Sequence, residues 1–296
     1  MIYGNILMKI GNTPTVRLRS FERGPDVEIF AKLEGENPSG SVKDRVAVHM
    51  IEKAELRGEL KPGKTILEAT SGNMGISLAM VGARRGYSVQ VVMSEKVSSE
   101  RAVLVRSYGA ELELTPGESG TRGAMERARE LAERYPERYW LADQFNNRDN
   151  AEAHYRTTAA ELLRDISGID AVVAGVGTGG TLAGITARFR EDSPETRIFG
   201  VIPPKGYQIQ GLQNPEEDFS GEVFSSDLMD DRIYVSRRDA FNTARMIART
   251  DGIFVGMSSG AAVYAAVEAA ERMGGGRVAV IIPDKGEKYL STGLFG

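Results

Sequence analysis

The most constraining feature of this 296-residue sequence is a regular alternation of short β-rich runs with segments of helical periodicity. In the first half, runs at residues 65–69 and 88–93 alternate with helical patterns such as residues 75–85. In the second half, the strand patterns are continuous apolar runs, and Val-Ala-Val-Ile-Ile at residues 278–282 is the clearest of them. This alternation predicts an α/β fold, because apolar strands of this kind suit parallel sheets covered by helices on both faces.

Two stretches interrupt the alternation and indicate how the chain is divided. Residues 143–150 are polar and are typical of a domain junction. Residues 203–231 form a long segment with prolines, glycines and acids, and long loops inside compact domains are often functional. We therefore predict two lobes of mostly parallel sheet wrapped by helices, with a ligand cleft between them.

The scarce residue types exclude several classes of protein. The chain has no cysteine, which removes disulfides, thiolate nucleophiles and cysteine-based metal sites. His49 and His154 are the only histidines, and two histidines far apart in sequence disfavour a Ser-His-Asp triad or a histidine-rich metal site. With 37 basic and 41 acidic residues, the chain also lacks the basic excess of a nucleic-acid binder.

The distribution of apolar residues predicts a cytoplasmic protein. No segment approaches the 18 or so consecutive apolar residues that a membrane span requires. Residues 1–14 lack both the long apolar stretch and the small-residue cleavage site of a signal peptide. We therefore expect no contact with membranes, nucleic acid or a bound metal.

The glycine-rich turn GVGTGGT at residues 175–181 follows a strand pattern and opens a helical one. Its glycines allow the backbone to approach an anion, and the helix N-terminus supplies free N–H groups, so the turn predicts a phosphate site. The turn also has the G-x-G-x-x-G spacing of dinucleotide-binding folds. The next strand pattern ends at Ile202 without the acid that such folds use, which disfavours a dinucleotide. A plain turn without a ligand is the other alternative.

Two further polar turns precede helical patterns. The segment ATSGNMG at residues 69–75 places hydroxyls and an amide beside the free N–H groups of a helix, an arrangement that suits a carboxylate. The segment GMSSGA at residues 256–261 has a similar composition. Ordinary helix capping explains the first turn equally well and the second turn better.

Lys43 is the best candidate for covalent chemistry. It lies in the loop segment NPSGSVKDR at residues 37–45, in the first turn of a helix with apolar residues on one side. A desolvated lysine beside a helix N-terminus has a lowered pKa and can form a Schiff base with a carbonyl group. On spacing alone, a solvated lysine without a function is the simpler interpretation.

Taken together, these segments resemble the cysteine synthase family of pyridoxal-phosphate enzymes, and most closely its cysteine synthase B branch. The resemblance runs from IGNTP at residues 10–14, through NPSGSVKDR, TSGNMGISLA, GVGTGGT and GMSSGAA, to the terminal KYLSTGLFG. Ordered motifs over nearly the whole chain are more specific than any single glycine turn. The resemblance implies fold type II, the fold of the tryptophan synthase β subunit.

The resemblance also implies a role for each candidate residue. Lys43 matches the catalytic lysine that holds pyridoxal 5′-phosphate covalently, Asn73 matches the amide at the ring hydroxyl, and Ser258 matches the serine at the ring nitrogen. The phosphate cradle matches Gly177, Thr178, Gly179, Gly180 and Thr181. The substrate site matches Thr70, Ser71, Gly72, Met74, Gln144, Gly211 and Gln213.

The implied reaction is a β-replacement that makes L-cysteine from an O-activated serine and sulfide through an α-aminoacrylate. Gln213 stands where relatives that use phosphorylated serine often carry arginine, so O-acetylserine is the expected substrate. Met74 replaces a frequent threonine, so backbone N–H groups must compensate for the missing hydroxyl. The alternatives are O-phosphoserine sulfhydrylase, cystathionine β-synthase, a serine or threonine dehydratase, and a noncatalytic binding protein on the same fold.

The resemblance further implies how the chain is organised and what it contacts. Residues 45–145 are expected to form a smaller, mobile substrate lobe, and residues 1–44 and 146–296 a larger lobe that binds pyridoxal phosphate. Closure of the smaller lobe over the substrate is expected to exclude water. The expected partners are small-molecule substrates, a second copy of the chain in a homodimer, and a serine acetyltransferase.

Overall fold

The computed structural model describes residues 2–70, 72–217 and 221–296, so Ser71 lies outside the described residues. The strands, in chain order, are β1 (Thr15–Arg17), β2 (Val27–Leu33), β3 (Thr65–Ala69), β4 (Ser88–Ser94), β5 (Glu111–Thr115), β6 (Tyr139–Leu141), β7 (Ala171–Gly175), β8 (Arg197–Ile202), β9 (Asp231–Tyr234) and β10 (Gly276–Ile282). The α-helices are α1 (Lys43–Leu56), α2 (Asn73–Arg85), α3 (Ser99–Ser107), α4 (Gly120–Arg134), α5 (Asp149–His154), α6 (Ala160–Asp165), α7 (Gly180–Asp192), α8 (Arg237–Thr250) and α9 (Met257–Met273). The predicted α/β class is confirmed.

The strands form two sheets. The larger has the order β1-β2-β10-β7-β8-β9 and is parallel except at its edge, where β1 runs antiparallel to β2. The smaller has the order β5-β4-β3-β6 and is parallel throughout. All strands of the smaller sheet fall between residues 65 and 141, inside the expected smaller lobe. The boundaries at residues 45 and 145, and the mobility of that lobe, stay predictions.

Both faces of the larger sheet are buried, as the apolar strand patterns predicted. Along β7, Ala171 and Val173 join a core with α8 and α9, whereas Val172 and Ala174 join a second core with α6 and α7. Successive side chains of a strand point to opposite faces, so one apolar strand contributes to two cores. The smaller sheet likewise packs against α1 and α2 on one face and against α4 on the other.

Two differences separate the structure from the sequence patterns. The strands β1, β2 and β9 were not predicted, because β1 and β9 are short edge strands and β2 contains charged residues. The helical pattern at residues 151–166 is divided into α5 and α6 by a π-helical turn at Tyr155–Ala159. Such turns are frequent at functional sites, and this one lies beside the start of α7.

A buried ion network fixes the start of α1 against the larger sheet. The guanidinium of Arg45 binds Glu34 through Nε at 2.6 Å and Glu161 through Nη1 at 2.6 Å. The ammonium of Lys32 on β2 also binds Glu161, at 2.9 Å. These side chains are almost fully buried, so the network depends on every charge having its partner.

The described residues include no candidate membrane span and no candidate metal cluster. In the part of the chain that the structure describes, no helix is both long and apolar enough to cross a membrane. Within the same ranges, no cluster of three or more histidine, cysteine or acidic side chains is arranged to hold a metal ion.

Candidate active site

Lys43 is the first residue of α1, and the loop before it is fixed by hydrogen bonds to a buried carboxylate. The carboxylate of Asp44 accepts hydrogen bonds from the backbone N–H of Ser39 at 2.7 Å and from the hydroxyl of Ser77 at 2.6 Å. The Nζ of Lys43 lies 3.5 Å from Thr178 Oγ1, in the glycine-rich turn. Burial of the amine lowers the pKa of Lys43 to about 8, against a smaller raising effect of the Glu68 carboxylate. A substantial share of this amine is therefore neutral near pH 8.

The glycine-rich turn leads directly into α7, as predicted. Gly179 caps this helix with a φ of +87°, a conformation that favours glycine, and its cap provides no side-chain hydrogen bond. A Cβ on Gly180 would lie 2.1 Å from Asn150 Oδ1, so only glycine fits there. The N–H of Gly180, the first of α7, donates to Thr178 Oγ1 at 3.3 Å, and the following N–H groups of this helix end are the ones that suit an anion.

Two residues that the sequence patterns did not single out hold the threonines of this turn. Asn150 Nδ2 donates a hydrogen bond to Thr178 Oγ1 at 2.9 Å. His154 Nε2 lies 3.2 Å from Thr181 Oγ1, and its Nδ1 lies 2.9 Å from Thr158 Oγ1 in the π-helical turn. Burial holds the pKa of His154 well below its usual range, so the ring is neutral and positions Thr181 without adding charge.

Asn73 and Ser258 lie near the starts of two different helices, α2 and α9. Asn73 Nδ2 donates to Asp284 Oδ2 at 2.7 Å, and its Oδ1 accepts from Lys288 Nζ at 2.9 Å, so its amide is fixed by the C-terminal segment. Ser258 is buried near the start of α9, and a Cβ on Gly211 would lie 3.3 Å from its Oγ. Within the described part of the chain, no hydrogen bond engages this Ser258 hydroxyl.

Three of the predicted substrate residues, Thr70, Gly72 and Met74, lie at the N-terminus of α2, whereas Gln213 lies beside the glycine-rich turn. Thr70 Oγ1 accepts from the N–H of Gly72 at 3.2 Å. Met74 is 1% exposed and its side chain belongs to the apolar core of the smaller sheet, so only its backbone is available to a ligand. The backbone N–H of Gln213 donates a hydrogen bond to Val176 O at 2.7 Å, which fixes the backbone at this position.

Glu68 is a buried carboxylate that connects this region to Lys43. It lies on β3 and accepts hydrogen bonds from Gln144 Nε2 at 3.1 Å and from Gln144 N at 3.4 Å. Burial and the charge of Asp143 raise the pKa of Glu68 to about 8. The sequence contains a signal for this residue, because Glu68 is the one acid inside the apolar run TILEA, but the pattern analysis did not identify it.

The Glu68→Gln variant is expected to lower the pKa of Lys43 below about 8, because the Glu68 charge favours the protonated amine. In cofactor-free enzyme, acylation of the neutral Lys43 amine rises with pH through this pKa. The midpoint of that rise, followed by mass spectrometry of the modified peptide, should move to lower pH. The exposed Glu195→Gln variant is the matched control and should leave the midpoint unchanged. A midpoint that stays in place or moves upward in Glu68→Gln contradicts the assignment.

The residues present fit pyridoxal phosphate. A desolvated amine with a lowered pKa can bind an aldehyde, and the N-terminus of α7 can bind a phosphate. The Ser258 hydroxyl, which no described residue engages, and the fixed Asn73 amide supply further polar groups. These are the features of a pyridoxal-phosphate enzyme of fold type II.

Comparison with known proteins agrees with this class. The family model described as "Pyridoxal-phosphate dependent enzyme" matches residues 6–284. The chain therefore belongs to this family, and within it to the cysteine synthases. It is 46% identical over 290 residues to cysteine synthase B of Salmonella typhimurium, covering 97% of this chain and 94% of the relative.

Other relatives and solved structures support the same placement. Cysteine synthase of Staphylococcus aureus is 43% identical over 301 residues, which cover 98% of this chain and 96% of the relative. The crystal structure of cysteine synthase from Entamoeba histolytica superposes with a TM-score of 0.93 at 38% identity, covering 100% of this chain and 91% of that one. O-ureido-L-serine synthase superposes with a TM-score of 0.94 at 41% identity, covering 100% and 96%.

Proposed function

We propose that this enzyme makes L-cysteine and acetate from O-acetyl-L-serine and hydrogen sulfide, with pyridoxal phosphate as cofactor. The observation that carries the proposal is the Lys43 amine, buried with a lowered pKa and lying 3.5 Å from Thr178 at the phosphate turn. In the reaction, the bond between the β-carbon and the acetate oxygen breaks, and a bond between the β-carbon and sulfur forms. The similarity to several cysteine synthases supports the same chemistry.

Each part of the cofactor has a candidate partner in the chain. Lys43 would hold the aldehyde carbon, and the turn formed by residues 177–181 would hold the phosphate. Ser258 would face the ring nitrogen and Asn73 the ring hydroxyl. A neutral serine, in contrast to a carboxylate, leaves the ring nitrogen less protonated, which suits β-replacement better than deep carbanion stabilisation.

The chain's own residues would bind the amino acid and move its α-proton. When bound, pyridoxal phosphate supplies the electron sink that acidifies the α-proton of the substrate. The N-terminus of α2 and Thr70 would bind the substrate carboxylate, and Gln144 would contribute its amide, whose orientation Glu68 fixes. The neutral Nζ of Lys43 would accept the α-proton and later return it, since its pKa near 8 suits both steps.

The serine derivative is the finer part of the proposal. Gln213 offers no charge to a phosphate group, so we propose O-acetyl-L-serine over O-phospho-L-serine. The similarity to O-ureido-L-serine synthase adds a second candidate product, which would form if hydroxyurea replaces sulfide as the nucleophile. Both reactions share the β-replacement step and differ only in the incoming nucleophile.

The test is a matrix of substrates with enzyme saturated in pyridoxal phosphate. O-acetyl-L-serine and O-phospho-L-serine are each combined with sulfide or hydroxyurea, and the products are quantified by mass spectrometry. We expect kcat/KM for L-cysteine formation to be at least about tenfold higher with O-acetyl-L-serine than with O-phospho-L-serine. Preference for the phosphorylated substrate contradicts the argument from Gln213, and absence of both products contradicts the proposed function.

The organisation of the enzyme in the cell completes the proposal. We infer a homodimer, a cytoplasmic location and a serine acetyltransferase partner from the sequence resemblance. Light scattering of the purified protein tests the dimer. Co-purification with a serine acetyltransferase from the same source tests the partner, and cell fractionation tests the location.

A further inference from the structure

Arg101 is a buried cation beside the start of α2 that the proposed mechanism does not use. It lies in α3 and is 2% exposed. Its Nη1 donates to Gln210 Oε1 at 2.5 Å and to Ser98 Oγ at 3.2 Å, and its guanidinium lies 4.6 Å from the centroid of the Tyr289 ring. These partners are uncharged, and no carboxylate of a described residue pairs with it. A buried charge of this kind is unfavourable unless an anion approaches it.

The unused donor of Arg101 faces the turn that precedes α2. Its Nε–H is buried and has no hydrogen-bond partner among the described residues. A Cβ placed on Gly72 would lie 3.3 Å from this Nε. Gly72 is the N-cap of α2, a 13-residue helix whose cap makes no side-chain hydrogen bond. The free N–H of Arg101 and the free N–H groups of α2 therefore adjoin the same turn.

A second cation, Lys288, lies at the residue that follows Gly72. Lys288 Nζ donates to Asn73 Oδ1 at 2.9 Å and to Gly40 O at 3.1 Å, both of which are uncharged acceptors. Asn73 is the first residue of α2, so the Arg101 guanidinium and the Lys288 ammonium both lie near the beginning of this helix. Cations add to the positive end of the helix dipole, which strengthens the attraction for a negative charge.

We propose that Arg101 determines the specificity of this turn for a substrate carboxylate over an uncharged group of the same shape. The inference rests on the proposed function, in which Thr70 and the N-terminus of α2 hold the carboxylate of the amino acid. Neutral hydroxyls and amides recognise a carboxylate and a carboxamide by similar hydrogen bonds. A buried guanidinium favours the charged carboxylate over the neutral carboxamide, because charge interactions are stronger where water is excluded.

Titration calorimetry with L-alanine and L-alaninamide tests the inference on the cofactor-loaded enzyme. These ligands differ only at the carboxylate and carry no β-leaving group, so binding is measured without turnover. In Arg101→Met, we expect the preference for L-alanine over L-alaninamide to fall by at least about tenfold relative to the unmodified enzyme. Arg101→Lys keeps the charge and should retain most of the preference. Arg106→Met, an exposed position on the same helix, is the matched control and should retain it fully.

The outcomes separate this inference from the proposed function. If the affinities for both ligands fall by the same factor in Arg101→Met, the residue contributes only to packing and the inference is wrong. If Arg101→Met does not fold, Arg101→Gln, which keeps a donor for Gln210, gives the same comparison. If the unmodified enzyme binds neither ligand, the site does not accept amino acids, and the proposed function fails together with the inference.

Discussion

Replacing Lys43 by alanine is expected to lower L-cysteine formation by at least about 10³-fold, the largest effect of any single substitution in this chain. The variant loses both the amine that would hold the cofactor and the base that would move the α-proton. Reduction of the cofactor-loaded enzyme with borohydride, followed by peptide mass spectrometry, should place the cofactor on Lys43 in the unmodified protein. The variant should show no such labelled peptide.

The matched control is Lys53→Ala on the same helix. Lys53 is half-buried and pairs with Glu152 at 2.9 Å, and Glu152 also binds Arg156 at 2.6 Å. A single partly exposed ion pair contributes little to stability, so we expect activity within about twofold of the unmodified enzyme. Covalent labelling of another lysine in the unmodified protein, or full activity in Lys43→Ala, contradicts the assignment of Lys43.

Replacing Arg45 by methionine is expected to reduce the free energy of unfolding by about 3–5 kcal/mol. The substitution leaves the carboxylate of Glu34 buried without its cation and leaves Glu161 with Lys32 alone. Burial by itself raises the pKa of Glu161, but the hydrogen bond and charge of Arg45 outweigh it and lower that pKa to about 2. Urea unfolding of the cofactor-free protein, followed by circular dichroism, measures the change.

The pH dependence of this effect has a defined sign. Because the pKa of Glu161 is lower in the folded protein than its ordinary value of 4.5, its contribution is present above about pH 4.5 and is lost as the pH falls towards about 2. The destabilisation in Arg45→Met should therefore shrink on acidification. The exposed Arg122→Met, which removes a pair with Glu126, is the control and should change stability by about 0–1 kcal/mol at every pH. Equal effects of the two substitutions at neutral pH contradict the assignment of the network.

Much of the fold was predictable because its signals are local. The strand β3 has the predicted bounds, and β10 includes the predicted run at residues 278–282. A short apolar run between turn residues indicates a strand without any information from distant residues. The turns before α2, α7 and α9 were predictable from glycine, serine and threonine at strand–helix junctions. The edge strand β1 was missed because a three-residue strand carries too little pattern, and its pairing with β2 depends on the fold.

By itself, the sequence determined the α/β class, the three polar turns and Lys43 as the candidate nucleophile. The tertiary structure decided which buried polar groups surround them. Glu68 contacts Gln144, and Asn150 contacts Thr178, over sequence separations of 76 and 28 residues. Arg101, which lies in α3, is close to Gly72 at the start of α2. The physical reason is that burial and charge pairing depend on neighbours distant in sequence, whereas helix starts and apolar strands depend on residues close together.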